Sequence, residues 1–173
     1  MANLPILFSE KLNLATLGIN PDSIKNVTCS MESDKMITVC EKNAQGQAQI
    51  CMIDMENNNA VDRKSMAAEA AIMNPVSKII ALRAGQTLQI FNLELKARMK
   101  NYNMTEPVTY WRWATPSIVA LVTATAVYHW SIEGDSAPQK MFDRNAALGA
   151  GTQIINYQLS PDGKFCLLGG ISQ

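Results

Sequence analysis

A chain of 173 residues has room for one ordinary domain and not for two comfortable ones. With 47% apolar residues it can bury a core, and with 17% charged residues it does not read as a disordered tail. Fifteen basic residues balance fifteen acidic ones, which leaves no global field to draw in nucleic acid or an anionic membrane and makes any charge recognition local.

The N-terminal run Met1-Ala2-Asn3-Leu4-Pro5-Ile6-Leu7-Phe8 breaks at Ser9-Glu10-Lys11. It has neither the basic start nor the long apolar stretch of a signal peptide. No segment approaches the roughly 18 uninterrupted apolar residues of a membrane helix, so the chain is expected to be soluble and intracellular. Cys29, Cys40, Cys51 and Cys166 include no C-x-x-C pair and no metal-like clustering. Buried structural thiols are therefore expected, and neither a metal nor a cofactor is. The triplets Asn26-Val27-Thr28 and Asn103-Met104-Thr105 look like glycosylation acceptors but mean little in a chain that stays inside the cell.

Along the chain, apolar, β-branched and aromatic residues crowd into short runs that predict strands at Met36–Cys40, Gln49–Ile53, Lys78–Leu82, Thr87–Phe91, Ile118–Thr123 and Ala126–Ile132. Asp34-Lys35, Gly85-Gln86, Thr115-Pro116 and Ser160-Pro161-Asp162-Gly163 supply turns between them. Amphipathic helical spacing is not sustained anywhere. Four stretches repeat one outline, a polar turn followed by a strand entering an apolar run, anchored at Met36, Ile79, Ile118 and Phe165 with spacings of 43, 39 and 47 residues. A period of roughly 40–45 residues with strands inside each unit is that of β-propeller blades, small sheets that bury their faces only by stacking on neighbours. The fold class is therefore all-β, a partial propeller of about three and a half blades. Such an array leaves an apolar face and an open edge, and in isolation it is expected to be marginal or aggregation-prone.

Catalytic signatures are missing from the sequence. No nucleophile elbow, phosphate-binding loop or H-E-x-x-H occurs. His129, the sole histidine, lies in a predicted strand, where a packed or hydrogen-bonded role is expected rather than general-base work. Glu32 and Asp34, and Glu133 and Asp135, flank turns and read as solvated loop carboxylates. The chain is not expected to be an enzyme.

The runs Met31-Glu32-Ser33-Asp34-Lys35, Ala71-Ile72-Met73-Asn74-Pro75, Leu88-Gln89-Ile90-Phe91-Asn92, Val127-Tyr128-His129-Trp130-Ser131, Lys140-Met141-Phe142-Asp143-Arg144 and Gln153-Ile154-Ile155-Asn156-Tyr157 closely resemble the N-terminal domain of clathrin heavy chains. The resemblance runs in order over nearly all of residues 1–173, with small length differences near Asn43–Gly46 and Leu148–Thr152. It implies an incomplete part of a seven-bladed propeller that stands at the end of a long α-solenoid leg. In the family the legs trimerise, bind light chains and build the coat on the cytoplasmic face of coated pits and vesicles. The propeller captures adaptor and accessory proteins through clathrin-box peptides, which makes any membrane association indirect and gives nucleic acid no role.

The best-known groove of the family lies between the first two blades, and its segment here is Thr87-Leu88-Gln89-Ile90-Phe91. Strand alternation puts Thr87, Gln89 and Phe91 on one face and Leu88 and Ile90 on the other. The first set could hydrogen-bond and pack against an extended peptide, with Ile80 adding apolar contact. Lys96 and Arg98 alternate downstream and present positive charge to acidic ligand residues, and the resemblance places Arg63 and Lys64 near the same groove. Arg98 stands where the family often has lysine, Asp62 where it tends to be apolar and Ser65 where it has proline; Asp62 and Ser65 weaken the part assigned to Arg63 and Lys64. A second family site, for tryptophan-containing motifs, maps to Gln153, Ile155 and Ile171, with Asn26 in place of a phenylalanine; Ile155 and Ile171 read equally well as core residues. A generic WD-repeat-like interaction scaffold is the alternative, although G-H and W-D punctuation is missing and Trp130 is followed by Ser131.

Overall fold

The structure, a computed structural model, describes residues 6–149 and 151–172. Met1–Pro5 of the N-terminal reading and the final Gln173 lie outside the described residues. The chain is built of small antiparallel sheets in series. Blade 1 contains β1 (Cys29–Ser30), β2 (Met36–Lys42), β3 (Ala48–Asp54) and β4 (Ala60–Lys64). Blade 2 contains β5 (Ala70–Met73), β6 (Ile79–Ala84), β7 (Thr87–Asn92) and β8 (Ala97–Asn103). Blade 3 contains β9 (Tyr110–Thr115), β10 (Ile118–Val122), β11 (Ala126–Ser131) and β12 (Gln139–Asp143). A two-stranded sheet follows, β13 (Thr152–Leu159) paired with β14 (Cys166–Ser172). Strand order follows chain order in every sheet, so each blade is a meander closed by short turns. Among the described residues helix is confined to single 3-10 turns such as Leu14–Leu17 and Ala146–Leu148.

The repeat anchors fall where the period predicts. Met36, Ile79 and Ile118 each open the second strand of a blade, and Phe165 directly precedes β14. All six predicted strands are present within two residues at either end. Polar or short strands that lack apolar crowding, β1, β4, β8 and β12 among them, gave no such signal.

The core lies in the seams between sheets, because each blade has two apolar faces and no helix to cover them. Between blades 1 and 2 pack Cys40, Ile50 and Met52 against Ala71, Met73, Ile80 and Leu82. Between blades 2 and 3 pack Ile72, Ala81, Leu88 and Ile90 against Trp113, Val119, Leu121 and Trp130. Ala120, Val122 and Val127 meet Ile154 and Tyr157 in the next seam. On its other side blade 1 packs Ile37, Val39, Cys51 and Ile53 against Leu12, Leu14, Leu17 and Ile19 of the N-terminal segment.

Polar bonds fix the order of the blades. The hydroxyls of Ser30 and Thr38 donate to the Ala71 carbonyl at 2.7 and 3.0 Å. The Trp113 indole donates to the Ile72 carbonyl, and Asn74 donates to the Pro116 carbonyl at 2.7 Å. These buried groups are paired because an unmet donor or acceptor there costs about 1–3 kcal/mol; Arg83 Nε and Arg144 Nε are buried without a partner among the described residues.

Candidate functional site

The seam between blades 1 and 2 opens at the outer strands into a groove. In β7 the side chains alternate cleanly: Leu88 and Ile90 are fully buried toward blade 3, while Thr87, Gln89 and Phe91 are partly exposed on the blade 1 side. Register carries that face onto β6, where Ile80 pairs with Phe91, Leu82 with Gln89 and Ala84 with Thr87. Gly85 sits in the turn that joins these strands at φ +57°, a conformation that glycine adopts without strain. A cleft of about 230 Å³ forms at the Thr87 end, lined by Met66, Ala67, Leu82, Arg83, Ala84, Thr87 and Gln89. The Thr87 hydroxyl bonds the Asn103 carboxamide at 3.3 Å. Among the described residues Gln89 has no side-chain partner, which leaves its amide available to an extended backbone.

Ile80 departs from the sequence reading. It has no exposed surface and packs among Ile50, Met52 and Met73, because the alternation that turns it toward blade 1 also places it under that blade. It forms the floor beneath Phe91 rather than a surface that a ligand touches.

The cations also separate. Arg98 pairs across from Phe91 and shares its face. Lys96 is not in the strand; it sits in the β7–β8 turn with φ +52°, exposed. Between Arg98 and Lys100 the ladder has a bulge at Met99, which breaks the alternation. Lys100 is thereby turned toward blade 3, 8% exposed, where its ammonium donates to the Ser131 carbonyl at 2.7 Å and the Glu133 carbonyl at 3.3 Å. In β4 the alternation divides the Arg63-Lys64 pair. Lys64 pairs with Ile50 and Asp62 with Met52, on the groove face, and the two form a 3.0 Å ion pair. Arg63 pairs with Cys51 on the opposite face, and its guanidinium donates to the Leu17 carbonyl at 3.0 Å. Arg63 therefore anchors the N-terminal segment and does not face the groove.

A second, larger cleft of about 560 Å³ lies beside the innermost strands, lined in part by Asn26, Tyr110, Arg144, Gln153, Ile154 and Ile155. Ile155 is the bulge residue of β13 and is 49% exposed, whereas its neighbour Ile154 is buried. Ile171 pairs with Gln153 across β14 and is 56% exposed, but it does not line this cleft. Neither isoleucine is a core residue among the described residues.

The remaining chemical groups are structural. His129 Nε2 lies 2.7 Å from the Tyr157 hydroxyl across the seam to β13, and burial pushes its pKa down. Glu32 corrects the loop-carboxylate reading: its Oε2 accepts from the Trp113 backbone amide at 2.9 Å, and burial raises its pKa. Cys40 and Cys51 are buried thiols pushed up to about 12 by desolvation, whereas Cys166 is exposed at the start of β14, contrary to expectation. Among the described residues no three His, Cys, Asp or Glu side chains cluster to hold a metal, and no helix is long and apolar enough to cross a membrane.

Stacked four-stranded meanders with their core in the seams define a partial β-propeller. Solved structures agree on the fold. The WD40 domain of Toxoplasma gondii coronin superposes with a TM-score of 0.54 at 14% identity, over 83% of this chain and 40% of that one. A chain of the mitotic checkpoint complex gives 0.53 at 16% identity, over 83% and 46%.

No protein-family model matches the chain. Full-length relatives do. It is 53% identical to human clathrin heavy chain 2 over 169 residues, 51% identical to the Drosophila melanogaster clathrin heavy chain over 169 and 48% identical to Arabidopsis thaliana clathrin heavy chain 1 over 177. These alignments cover 98–99% of this chain and about 10% of each relative. The chain belongs to the clathrin heavy chain family and matches an N-terminal stretch of it.

Proposed function

We propose that this chain serves a clathrin coat as its peptide-capturing propeller segment, with the blade 1–blade 2 groove taking acidic-apolar, clathrin-box-type segments of adaptor and accessory proteins. One observation carries the reading: β7 turns Thr87, Gln89 and Phe91 toward an open seam, and Arg98 stands across from Phe91 on the same face. An extended peptide laid there meets hydrogen-bonding groups at Thr87 and Gln89, an aromatic surface at Phe91 and positive charge at Arg98 and Lys96. Binding of this kind is non-catalytic and occurs on the cytoplasmic face of coated pits and vesicles, where the membrane is reached only through the adaptor. Light-chain binding and trimerisation, implied by the family resemblance, are not assigned to this segment, which spans about 10% of the relatives' length. A short peptide buries little area and loses freedom on binding, so each contact is weak and avidity comes from several motifs on one adaptor.

The test is a titration of a labelled acidic-apolar clathrin-box peptide against the chain and a Gln89→Ala/Lys96→Glu variant, with circular dichroism and light scattering establishing that both are folded and monodisperse. Saturable binding that the variant loses supports the groove; a folded wild-type chain that does not bind overturns it. A second reading, capture of tryptophan-containing motifs, is favoured by the cleft that Asn26, Gln153 and Ile155 share. A tryptophan peptide whose binding is indifferent to Gln153→Ala and Ile155→Ala would remove it.

A further inference from the structure

We propose that Asp62 is a specificity-determining residue of the blade 1–blade 2 groove. It masks Lys64 in an ion pair, so that carboxylates of a bound peptide are taken at Lys96 and Arg98 and turned away from the blade 1 wall. The inference rests on the groove reading above and concerns which charge pattern that groove accepts.

Three charged residues follow one another in β4, Asp62-Arg63-Lys64, and sequence counting gives this wall a net positive charge. The strand removes it. Alternation sends Arg63 to the far face, where it holds the Leu17 carbonyl, and leaves Asp62 and Lys64 together on the groove face. Register fixes that face independently: Asp62 pairs with Met52 and Lys64 with Ile50, and both apolar partners pack against blade 2. The Lys64 ammonium lies 3.0 Å from Asp62 Oδ2, with the two side chains 46% and 58% exposed. The blade 1 wall therefore presents one cation and one anion, and sums to zero.

The blade 2 wall differs. Among the described residues neither Lys96 nor Arg98 has a carboxylate in salt-bridge contact. A peptide carboxylate that approaches blade 1 meets the like charge of Asp62 and must compete for a lysine already paired. One that approaches the β7–β8 turn meets unpaired cations. Both walls are solvated, so the discrimination is modest and screened by salt, on the order of two- to fivefold as for exposed ion pairs.

The experiment compares the wild-type chain with Asp62→Asn, Lys64→Gln and the double variant, each titrated with the acidic-apolar peptide and with its Asn/Gln isostere at low and moderate salt. Asp62→Asn is expected to bind the acidic peptide two- to fivefold more tightly. The gain should vanish in the double variant, for the isostere and at the higher salt, while Lys64→Gln alone, which leaves Asp62 uncompensated, should weaken the acidic peptide by a comparable factor. Asp62→Asn binding no more tightly than wild type, or the double variant keeping the full gain of Asp62→Asn, overturns the inference while leaving the groove intact. A folded wild-type chain that binds neither peptide overturns the groove reading, and this inference with it.

Discussion

Two seams of the same design end differently. Two residues before Asp54 and Asn92, which face the anchors Met36 and Ile79, stand Met52 and Ile90; their outer partners are Asp62 in blade 1 and Lys100 in blade 2. These two charged residues occupy equivalent positions. Asp62 is exposed beside a groove, whereas Lys100 is buried in the next seam, bonded to two carbonyls and 5.9 Å from the centre of the Trp130 ring. Large aromatic side chains explain the difference in part. Trp113, Trp130 and the half-buried Tyr102 bring blade 3 up to the outer strand of blade 2, while the buried residues of the first seam, Cys40, Ile50, Met52, Ala71, Met73, Ile80 and Leu82, include no aromatic ring. A charged outer-strand position can thus close a seam or decorate an open one, and the packing of the neighbouring blade decides which.

The comparison breaks most readily at Trp130. Trp130→Ala empties a fully buried site and removes the indole bond to the Ser136 carbonyl, and a loss of about 3–5 kcal/mol is expected in denaturant unfolding. A loss below ~1 kcal/mol would show that the second seam does not depend on its aromatics. Next, charge reversal at the equivalent positions should separate the seams. Lys100→Asp places an uncompensated anion against carbonyl oxygens and should cost about 3 kcal/mol, whereas Asp62→Lys on the exposed wall should stay within about 0.5 kcal/mol. Equal effects would erase the distinction.

The third seam gives a pH-dependent comparison. Burial lowers the His129 pKa below its ordinary 6.5, so the unfolded chain binds more protons in the window beneath that value. The stability His129 confers is therefore present above pH 6.5 and is lost as pH falls through the folded value. Stability measured from pH 7.5 to pH 5 should fall more for wild type than for His129→Asn, and parallel curves would remove His129 from the account. The smallest effect belongs to the open groove: Arg98→Gln should weaken an acidic-apolar peptide by about two- to fivefold without changing stability measurably. Equal weakening of an uncharged isostere would mean that Arg98 acts by packing rather than by charge.

Much of the architecture was legible in the residues. A strand buried on its inner face must alternate or run apolar, so β2, β3, β6, β7, β10 and β11 announced themselves, and the spacing of their turns gave the repeat. The face assignment within Thr87–Phe91 was legible for the same reason, since a period of two allows only one division of the side chains. Ala60–Lys64 carries no apolar alternation to orient it, so nothing in the sequence says that Lys64 faces the groove and Arg63 the N-terminal segment. The bulge at Met99 is a one-residue shift, invisible in composition, that sends Arg98 and Lys100 to opposite faces.

By itself the sequence determined the six apolar strands, their period, the inward set Leu88 and Ile90, and the family. Each of these is written in local patterns of polarity or in identity over the whole chain. Only the tertiary structure decided which seam stays open, that Ile80 is floor rather than surface, that Glu32 is half-buried and accepts from the Trp113 backbone amide, and that Asp62 rather than Arg63 stands beside Lys64 in the groove. Those outcomes depend on register between strands and on the bulk of the facing blade, long-range quantities that no local pattern encodes.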